Sequence, residues 1–263
     1  MRRFVQISLF FILVSGCMDQ KNLYNLNFPD ARLVLSDKLN EISGMVLLSD
    51  SVICSVQDEK AVIYFLNANS GGIIKQFDFG KNADYEGITH YKNHFYVLRS
   101  DGSIFKVAEK KDAKVYKFKQ AKNFDFEGLC LDQTNERLLI ACKEHGDKDK
   151  KEHFYIYSFS LKTKEYDKKP AFKIRKDEVH VNFKPSGIAI HPNGNIFVLS
   201  SFSKTLLVLS PDGVILETIQ LSEYVFHQPE GITFNTKGDL FISNEKHKTV
   251  PTILKFNGAL KKK

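Results

Sequence analysis

The chain has 263 residues, of which 43% are hydrophobic and 12% aromatic, and it carries a formal net charge of +7. This composition fits a globular chain that buries a substantial core, in one large all-β domain or two small ones. The four cysteines show no CxxC pair and no Cys/His spacing, which excludes the usual kinds of structural zinc site.

The beginning of the chain has the layout of an export signal. Two arginines precede an apolar stretch at 4–13, which is too short for a membrane span of about 20 apolar residues. Residues 14–17, with the sequence VSGC, resemble the lipobox of bacterial lipoproteins, in which the peptidase cuts before a cysteine that is then acylated. We predict a signal peptide at 1–16, lipidation of Cys17 and a polar tether at 17–29. An ordinary secretory signal that contains a cysteine is the alternative.

This prediction places the protein in the cell envelope, periplasmic or surface-facing. Two or three acyl chains on Cys17 would hold it to a lipid bilayer almost permanently. Nucleic acid is not an expected partner, because exported basic proteins rarely meet it. We interpret the positive charge as solvated surface lysine, in preference to a surface that favours anionic headgroups or polyanions.

Three cysteines remain after the anchor, namely Cys54, Cys130 and Cys142. Each lies in an apolar, strand-like run, which predicts buried free thiols. Cys130 and Cys142 flank one hairpin, where a disulfide between adjacent strands has unfavourable geometry.

An internal repeat organises the rest of the chain. Five segments place an acidic or small residue before a glycine and an apolar run after it. The glycines, which are 43, 41, 59 and 44 residues apart, are Gly44, Gly87, Gly128, Gly187 and Gly231. A period in the low forties is typical of propeller blades or helical repeats. Because β-branched and aromatic runs between turn dipeptides fill each period, the pattern favours blades of four short strands.

The predicted fold is all-β, a five-bladed β-propeller over residues 30–258 followed by a basic tail at 259–263. The last unit supplies only three strands, and the missing strand is predicted at 32–35. Pairing of strands from both ends closes the ring and removes an exposed sheet edge. Six blades, obtained by splitting the long third unit, are the alternative. We disfavour it because the extra length is a charged loop at 146–152 and a polar connector at 162–169.

In a propeller the repeated motifs lie close together, which indicates a candidate site. The first strand of each blade lines the central channel, so the Glu-Gly pairs that open these strands lie around one end of it. The second strand returns its C-terminal end to the same face. We therefore predict that six glutamates converge there: Glu41, Glu86, Glu127, Glu144, Glu230 and Glu245.

Clustered carboxylates repel one another, and burying them is costly unless a cation neutralises them. Calcium takes six to eight oxygen ligands in flexible geometry, whereas magnesium prefers a strict octahedron, so Ca²⁺ is the predicted cofactor. The Ser186 hydroxyl and the Asn244 amide would add neutral oxygens. The alternative is a structural latch, in which each glutamate accepts backbone N–H groups from the neighbouring blade.

These motifs are similar to those of the YjiK-like or SdiA-regulated family of bacterial propellers. The matching segments are DYE at 84–86, FEGL at 126–129, KE at 143–144, SGI at 186–188, PEGI at 229–232 and SNE at 243–245. The resemblance covers about residues 30–257 and implies five blades, a calcium site on the channel and attachment to the membrane or envelope. The chain departs from the pattern in the fourth blade, where Lys184 and Pro185 precede Ser186 in place of an acid.

Two classes of function follow. The favoured one is a membrane-anchored, calcium-binding propeller that acts as a binding, scaffold or calcium-responsive protein toward an unidentified envelope protein or small ligand. The alternative is a calcium-dependent hydrolase of the lactonase, esterase or phytase type, in which the metal polarises a carbonyl or phosphoryl oxygen. Its general base would be His145, His227 or His247, but none has a recognisable catalytic context, so catalytic residues stay unassigned.

Overall fold

A computed structural model describes residues 23–119, 124–145 and 152–258. The signal peptide, Cys17, most of the charged loop and the basic tail therefore lie outside the described residues. The described part is built from β-strands and two short 3₁₀ turns, at Asp37–Leu39 and Lys176–Glu178. None of the helices in it has the length and hydropathy that a membrane span requires.

The strands form five antiparallel sheets arranged in a ring, which confirms the five-bladed propeller. Blade 1 contains β2 (Ile42–Ser49), β3 (Val52–Gln57), β4 (Val62–Asn67) and β5 (Ile73–Asp78). Blade 2 contains β6 (Tyr85–Tyr91), β7 (His94–Arg99), β8 (Ile104–Val107) and β9 (Lys114–Tyr116). Blade 4 contains β15 (Gly187–Ile190), β16 (Ile196–Ser200), β17 (Thr205–Leu209) and β18 (Ile215–Gln220). The first strands of consecutive blades contact one another around the channel, and β19 of blade 5 contacts β2 of blade 1.

Blade 5 is closed by the N-terminal strand, as predicted. Its strands are β19 (Pro229–Phe234), β20 (Leu240–Asn244), β21 (Thr252–Phe256) and β1 (Ala31–Val34). Arg32 pairs with Leu254 and Leu33 pairs with Ile253 in the antiparallel ladder. The strand begins one residue earlier than expected, and it covers an edge that would otherwise be open to another chain.

Blade 3 holds the extra length of the long repeat. It contains β10 (Asp125–Asp132), β11 (Arg137–Glu144), β12 (His153–Ser160), β13 (Glu165–Tyr166) and β14 (Phe172–Arg175). Both β13 and β14 pair with β12, so together they form the outer edge of one sheet. The expectation of a plain polar connector at 162–169 is therefore wrong at Glu165 and Tyr166, while the five-blade count holds.

The repeat glycines allow the inner strands to approach closely. A Cβ built on Gly187 would lie 2.4 Å from the carbonyl oxygen of Glu230, and one on Gly231 would lie 2.5 Å from that of Ser43. Real Cβ atoms do not approach backbone this closely, so each position accepts no larger side chain without a shift of the next blade.

Apolar side chains fill the spaces between adjacent blades. Each of the five core clusters joins residues of two neighbouring blades, including blade 5 with blade 1. Cys54, Cys130 and Cys142 are buried in three of these clusters as free thiols, which confirms their prediction. Burial raises the pKa of Cys54 and Cys142 to about 12, so both stay protonated and unreactive.

Two faces of the ring are distinguished below. The mouth is the face at which the five inner strands begin, where Glu41, Glu86 and Glu230 lie. The base is the opposite face, formed by the hairpins between first and second strands and between third and fourth strands. Residues 92–93 and 108–113 are examples of base hairpins in blade 2.

Candidate functional site

Three carboxylates converge at the mouth, between blades 1 and 5. Glu41 precedes β2, Asp58 follows β3, and Glu245 follows β20. One oxygen from each lies within 4.8 Å of the other two. Ligand oxygens 2.3–2.6 Å from a calcium ion lie at most about 5 Å apart, so this spacing fits one shared ion.

Backbone hydrogen bonds between turns hold these carboxylates in place. Asp58 N–H donates to the carbonyl oxygen of Glu41 at 3.2 Å, and Glu245 N–H donates to that of Gln228 at 3.0 Å. The Gln228 amide also donates to the Glu245 carboxylate. Lys246 N–H donates to the carbonyl oxygen of Asn40 at 2.7 Å, which joins blade 5 to the start of blade 1. The positions of the three acids are thus fixed by the main chain.

Polar atoms without partners lie among the same turns. Among the described residues, the buried side-chain atoms that lack a hydrogen-bond partner are Asn40 Oδ1, Asp58 Oδ1, and both Oδ1 and Nδ2 of Asn244. Asn244, only 2% exposed, directly precedes Glu245. Unpaired buried oxygens are costly, and a cation that accepts them as ligands removes that cost.

A lysine enters the other side of the ring. Lys143 Nζ lies 2.5 Å from Glu127 Oε1 and 3.7 Å from Asp125 Oδ2. Glu127 is 7% exposed, so its charge is neutralised within the protein. Burial lowers the pKa of Lys143, but the carboxylates outweigh burial and leave that pKa raised. Asp125 and Glu127 of blade 3 are therefore paired at the mouth with a cation from the same blade, the ammonium group of Lys143.

Four ring carboxylates, Asp58, Glu86, Glu230 and Glu245, share an environment that favours their protonated forms. Burial raises the pKa of Glu86 and of Glu245 to about 9, of Glu230 to about 8 and of Asp58 to about 6, and neighbouring carboxylates add to each rise. Burial raises the pKa of Glu127 to about 7 against the opposing effect of Lys143. These groups would ionise together only with added positive charge.

Of the six predicted glutamates, five lie at the ring and Glu144 does not. The carboxylate of Glu144 is 55% exposed and pairs with Lys184 Nζ at 2.5 Å. This pair holds the pKa of Glu144 below its usual value. Glu86 accepts a hydrogen bond from Ser43 Oγ of blade 1 at 3.2 Å, so its inter-blade partner is a side-chain hydroxyl and not the backbone N–H of the latch alternative.

The two neutral oxygens proposed from the sequence have different surroundings. Asn244 lies beside Glu245 with its amide unpartnered. The Ser186 hydroxyl is occupied, since it donates to the carbonyl oxygen of Pro229 at 3.1 Å and accepts from Ser201 N–H at 3.2 Å. Ser186 thus joins blade 4 to blade 5 through the backbone.

A cavity of about 350 Å³ opens on the blade 3 to blade 5 side of the mouth. Glu127 and Glu230 lie in its wall, and the lysines that line it are Lys143, Lys184 and Lys204. The mouth is therefore divided into a carboxylate side at blades 1, 2 and 5 and a lysine-containing side at blades 3 and 4.

The three candidate histidines separate in space. His227 and His247 line this cavity. His145 lies elsewhere, with its ring 4.3 Å from that of Phe124 and 5.1 Å from that of Tyr155, measured between centroids. Of the three, His227 and His247 therefore lie at the cavity that contains Glu127 and Glu230, whereas His145 lines a separate cavity with Lys143 and Lys184.

The predicted ligand set omits Asp58 and Lys143, although the end of the second strand, where Asp58 lies, was expected at the same face. Asp58 was visible at the end of the second strand of blade 1, where blade 5 has Glu245, and that equivalence was the available signal. Lys143 precedes Glu144, and the ladder between β10 and β11 shifts register at Phe126. An irregular register of this kind cannot be inferred from spacing.

Comparisons with known proteins agree with the fold. The profile of the SdiA-regulated family matches residues 30–250. No curated protein sequence gives a significant match.

Solved structures resemble the chain only at the level of fold. A glutaminyl cyclase of Myxococcus xanthus is 13% identical with a TM-score of 0.64, covering 88% of this chain and 95% of its own. A luciferin-regenerating enzyme is 12% identical with a TM-score of 0.52, covering 88% and 96%. A streptogramin B lyase is 15% identical with a TM-score of 0.51, covering 86% and 97%. The family profile spans most of the propeller, and the chain belongs to the SdiA-regulated family.

Proposed function

We propose that the protein is a lipid-anchored propeller of the cell envelope that binds one calcium ion at its mouth and serves as a binding or calcium-responsive module. The convergence of Glu41, Asp58 and Glu245 beside unpartnered buried oxygens is the observation that carries this proposal. Asn244 Oδ1 would be a fourth, neutral ligand. When bound, calcium supplies the positive charge that lets these acids ionise.

Calcium suits this site better than magnesium does. Most of the donors are carboxylates with amide oxygens nearby, and the turns that hold them come from two different blades. Magnesium keeps several waters and demands near-ideal octahedral geometry, whereas calcium tolerates irregular all-protein coordination. A bound ion would join blades 5 and 1, where the two ends of the chain meet.

Calcium binding is tested on the mature chain after removal of metal by chelation. At about 100 times the dissociation constant, calcium should stabilise the fold by about 2.7 kcal/mol. For a domain of this size, that corresponds to a rise of roughly 5–10 °C in the melting temperature. Asp58→Asn and Glu245→Gln should abolish most of the rise, whereas Glu144→Gln, outside the ring, should keep it. No calcium-dependent rise and no heat of binding by calorimetry would refute the site.

Attachment through Cys17 is supported by the VSGC motif and the apolar stretch before it. The expected result is incorporation of labelled palmitate into the full-length chain and its recovery with membranes. Cys17→Ser should lose both properties, and an unlabelled chain recovered as a free exported protein would favour the ordinary secretory signal.

A hydrolase is the second candidate, favoured by one observation. His227 and His247 line the cavity that also exposes Glu230, so a general base would lie near a bound ligand. Turnover of aryl esters, lactones or phytate that needs calcium and falls in His227→Ala would support the enzyme. Calcium binding without turnover would support the binding module.

A further inference from the structure

The N-terminal segment, residues 23–30, is attached to the base of the propeller. The Tyr24 side chain is buried, its hydroxyl donates to the carbonyl oxygen of Gly238 at 2.5 Å, and its ring stacks on that of Phe234. Gly238 lies in a base hairpin of blade 5, and Phe234 ends the inner strand there. Tyr24 therefore lies at the face opposite the carboxylates, and residues 23–27 also line a cavity with Glu217 and Ile219 of β18.

This attachment limits where the acylated cysteine can lie. Residues 18–22 separate Cys17 from Leu23, and an extended chain covers at most about 3.6 Å per residue, or roughly 20 Å in total. An inner strand of six residues, such as β19, is itself about 20 Å long. So short a connection keeps the acylated cysteine within roughly 20 Å of Leu23, whose neighbour Tyr24 is held at the base.

The base also carries a group of lysines on blades 2 and 3. These base lysines are Lys92, Lys106, Lys110, Lys111, Lys114, Lys162 and Lys164. Fewer acids accompany them, namely Glu109, which pairs with Lys75 at 2.9 Å, Asp132, which pairs with Arg137 at 2.8 Å, and Asp112, Glu136 and Glu165. Burial lowers the pKa of Lys164, and repulsion from Lys106, Lys92 and Lys114 lowers it further. The lysines are thus close enough to repel one another.

The mouth carries acids and lysines together, the lysines including Lys60, Lys184 and Lys246. Its acids are Glu41, Asp58, Glu86, Glu230 and Glu245. An anionic surface would attract the base lysines. The attachment point of the N-terminal segment and the charge of the base lysines therefore favour the same orientation.

We propose that the base of the propeller rests against an anionic bilayer surface, with the base lysines on the headgroups and the mouth facing away from the membrane. This inference rests on the proposed anchor at Cys17. In this orientation the calcium site and the cavity beside it are open to the aqueous compartment. The exposed side chain of Phe28, in the segment that precedes β1, would lie at the headgroup level.

The test uses the mature chain joined at Cys17 to a maleimide lipid in vesicles. Cys54, Cys130 and Cys142 are buried, so coupling is directed to Cys17. The chemical anchor keeps the test independent of natural acylation. Lysine acetylation is then measured by peptide mass spectrometry, for the free chain and on vesicles of phosphatidylcholine with or without phosphatidylglycerol.

On vesicles with phosphatidylglycerol, Lys92 and Lys111 should react severalfold more slowly than in the free chain, whereas the exposed mouth lysines Lys60 and Lys246 should keep their rates. The protection of Lys92 should fall on pure phosphatidylcholine. Equal protection of both faces, or protection of the mouth lysines alone, would overturn the orientation. Protection that does not depend on phosphatidylglycerol would overturn the role of the headgroup charge.

Matched charge reversals distinguish an effect of the base lysines from a general effect of net charge. Lys111→Glu with Lys114→Glu should lose most of the protection at Lys92. The control pair, Lys246→Glu with Lys248→Glu, makes the same change of charge at the mouth. It should retain the protection at Lys92. If both pairs reduce the protection equally, the base lysines have no special role. Natural lipidation that fails while this orientation holds would refute the anchor alone.

Discussion

At the scale of single residues, the position of the metal site in the mouth depends on which buried acids have a cation beside them, because the acids there outnumber the cations. Lys143 neutralises Glu127 on the blade 3 side, and the carboxylates between blades 1 and 5 have no comparable partner among the described residues. The charge of a buried acid next to a lysine is neutralised without a metal ion, whereas the charge of an acid beside other acids is not. The metal site is therefore expected at Asp58 and its neighbours, away from Lys143.

Replacing Lys143 by methionine tests this division of charge. In metal-free protein Lys143→Met should lower the free energy of unfolding by about 1–3 kcal/mol, because Glu127 loses the partner of its buried charge. Calcium affinity should rise, because the ring becomes more negative. Urea unfolding and calorimetry measure the two effects. The control, Lys184→Met, removes the partner of the exposed Glu144 and should change stability and calcium affinity very little. Weaker calcium binding in Lys143→Met would contradict this division of charge.

At the scale of elements, the inner strands are constrained by contact between backbones. Gly187→Ala places a methyl group 2.4 Å from the carbonyl oxygen of Glu230. Blade 5 would have to move outward, and we expect a loss of about 1–3 kcal/mol of stability.

The control for this prediction is Gly72→Ala in a loop of blade 1. A Cβ there would meet only Ser70 Oγ, at 3.4 Å. The change should be neutral or slightly stabilising, since alanine restricts the unfolded chain. Both values come from urea unfolding. An equal loss for the two variants would mean that inner-strand contact is not the cause.

The strand elements could be predicted because the repeat carries their signal locally. Glycines at regular spacing, alternating apolar runs and the missing fourth strand gave five blades and the closing β1. The strand β13, only Glu165–Tyr166, could not be predicted, because it is short and polar and depends on pairing with β12. Lys143 and Glu144 show the same limit, since a register shift decides which of two adjacent charges enters the mouth.

At the scale of the whole molecule, the raised pKa values of the mouth link stability to pH. In the folded, metal-free protein, Asp58, Glu86, Glu230 and Glu245 keep protons up to pKa values of about 6 to 9, whereas in the unfolded chain such groups release them near pH 4. Between these limits the folded state binds more protons than the unfolded state. Its stability must therefore fall as pH rises.

Calcium should reverse this trend, because it binds the ionised groups that protons would otherwise neutralise. From pH 5 to pH 8, the melting temperature of the metal-free protein should decrease while the rise produced by calcium increases. Acids with lowered pKa values, such as Asp101 and Asp239, titrate below this window and do not reverse the sign. Glu245→Gln should flatten the decrease in the metal-free protein. A metal-free protein that becomes more stable toward pH 8 would show that the ring acids are already neutralised in the fold, and no site for a divalent ion would then be needed.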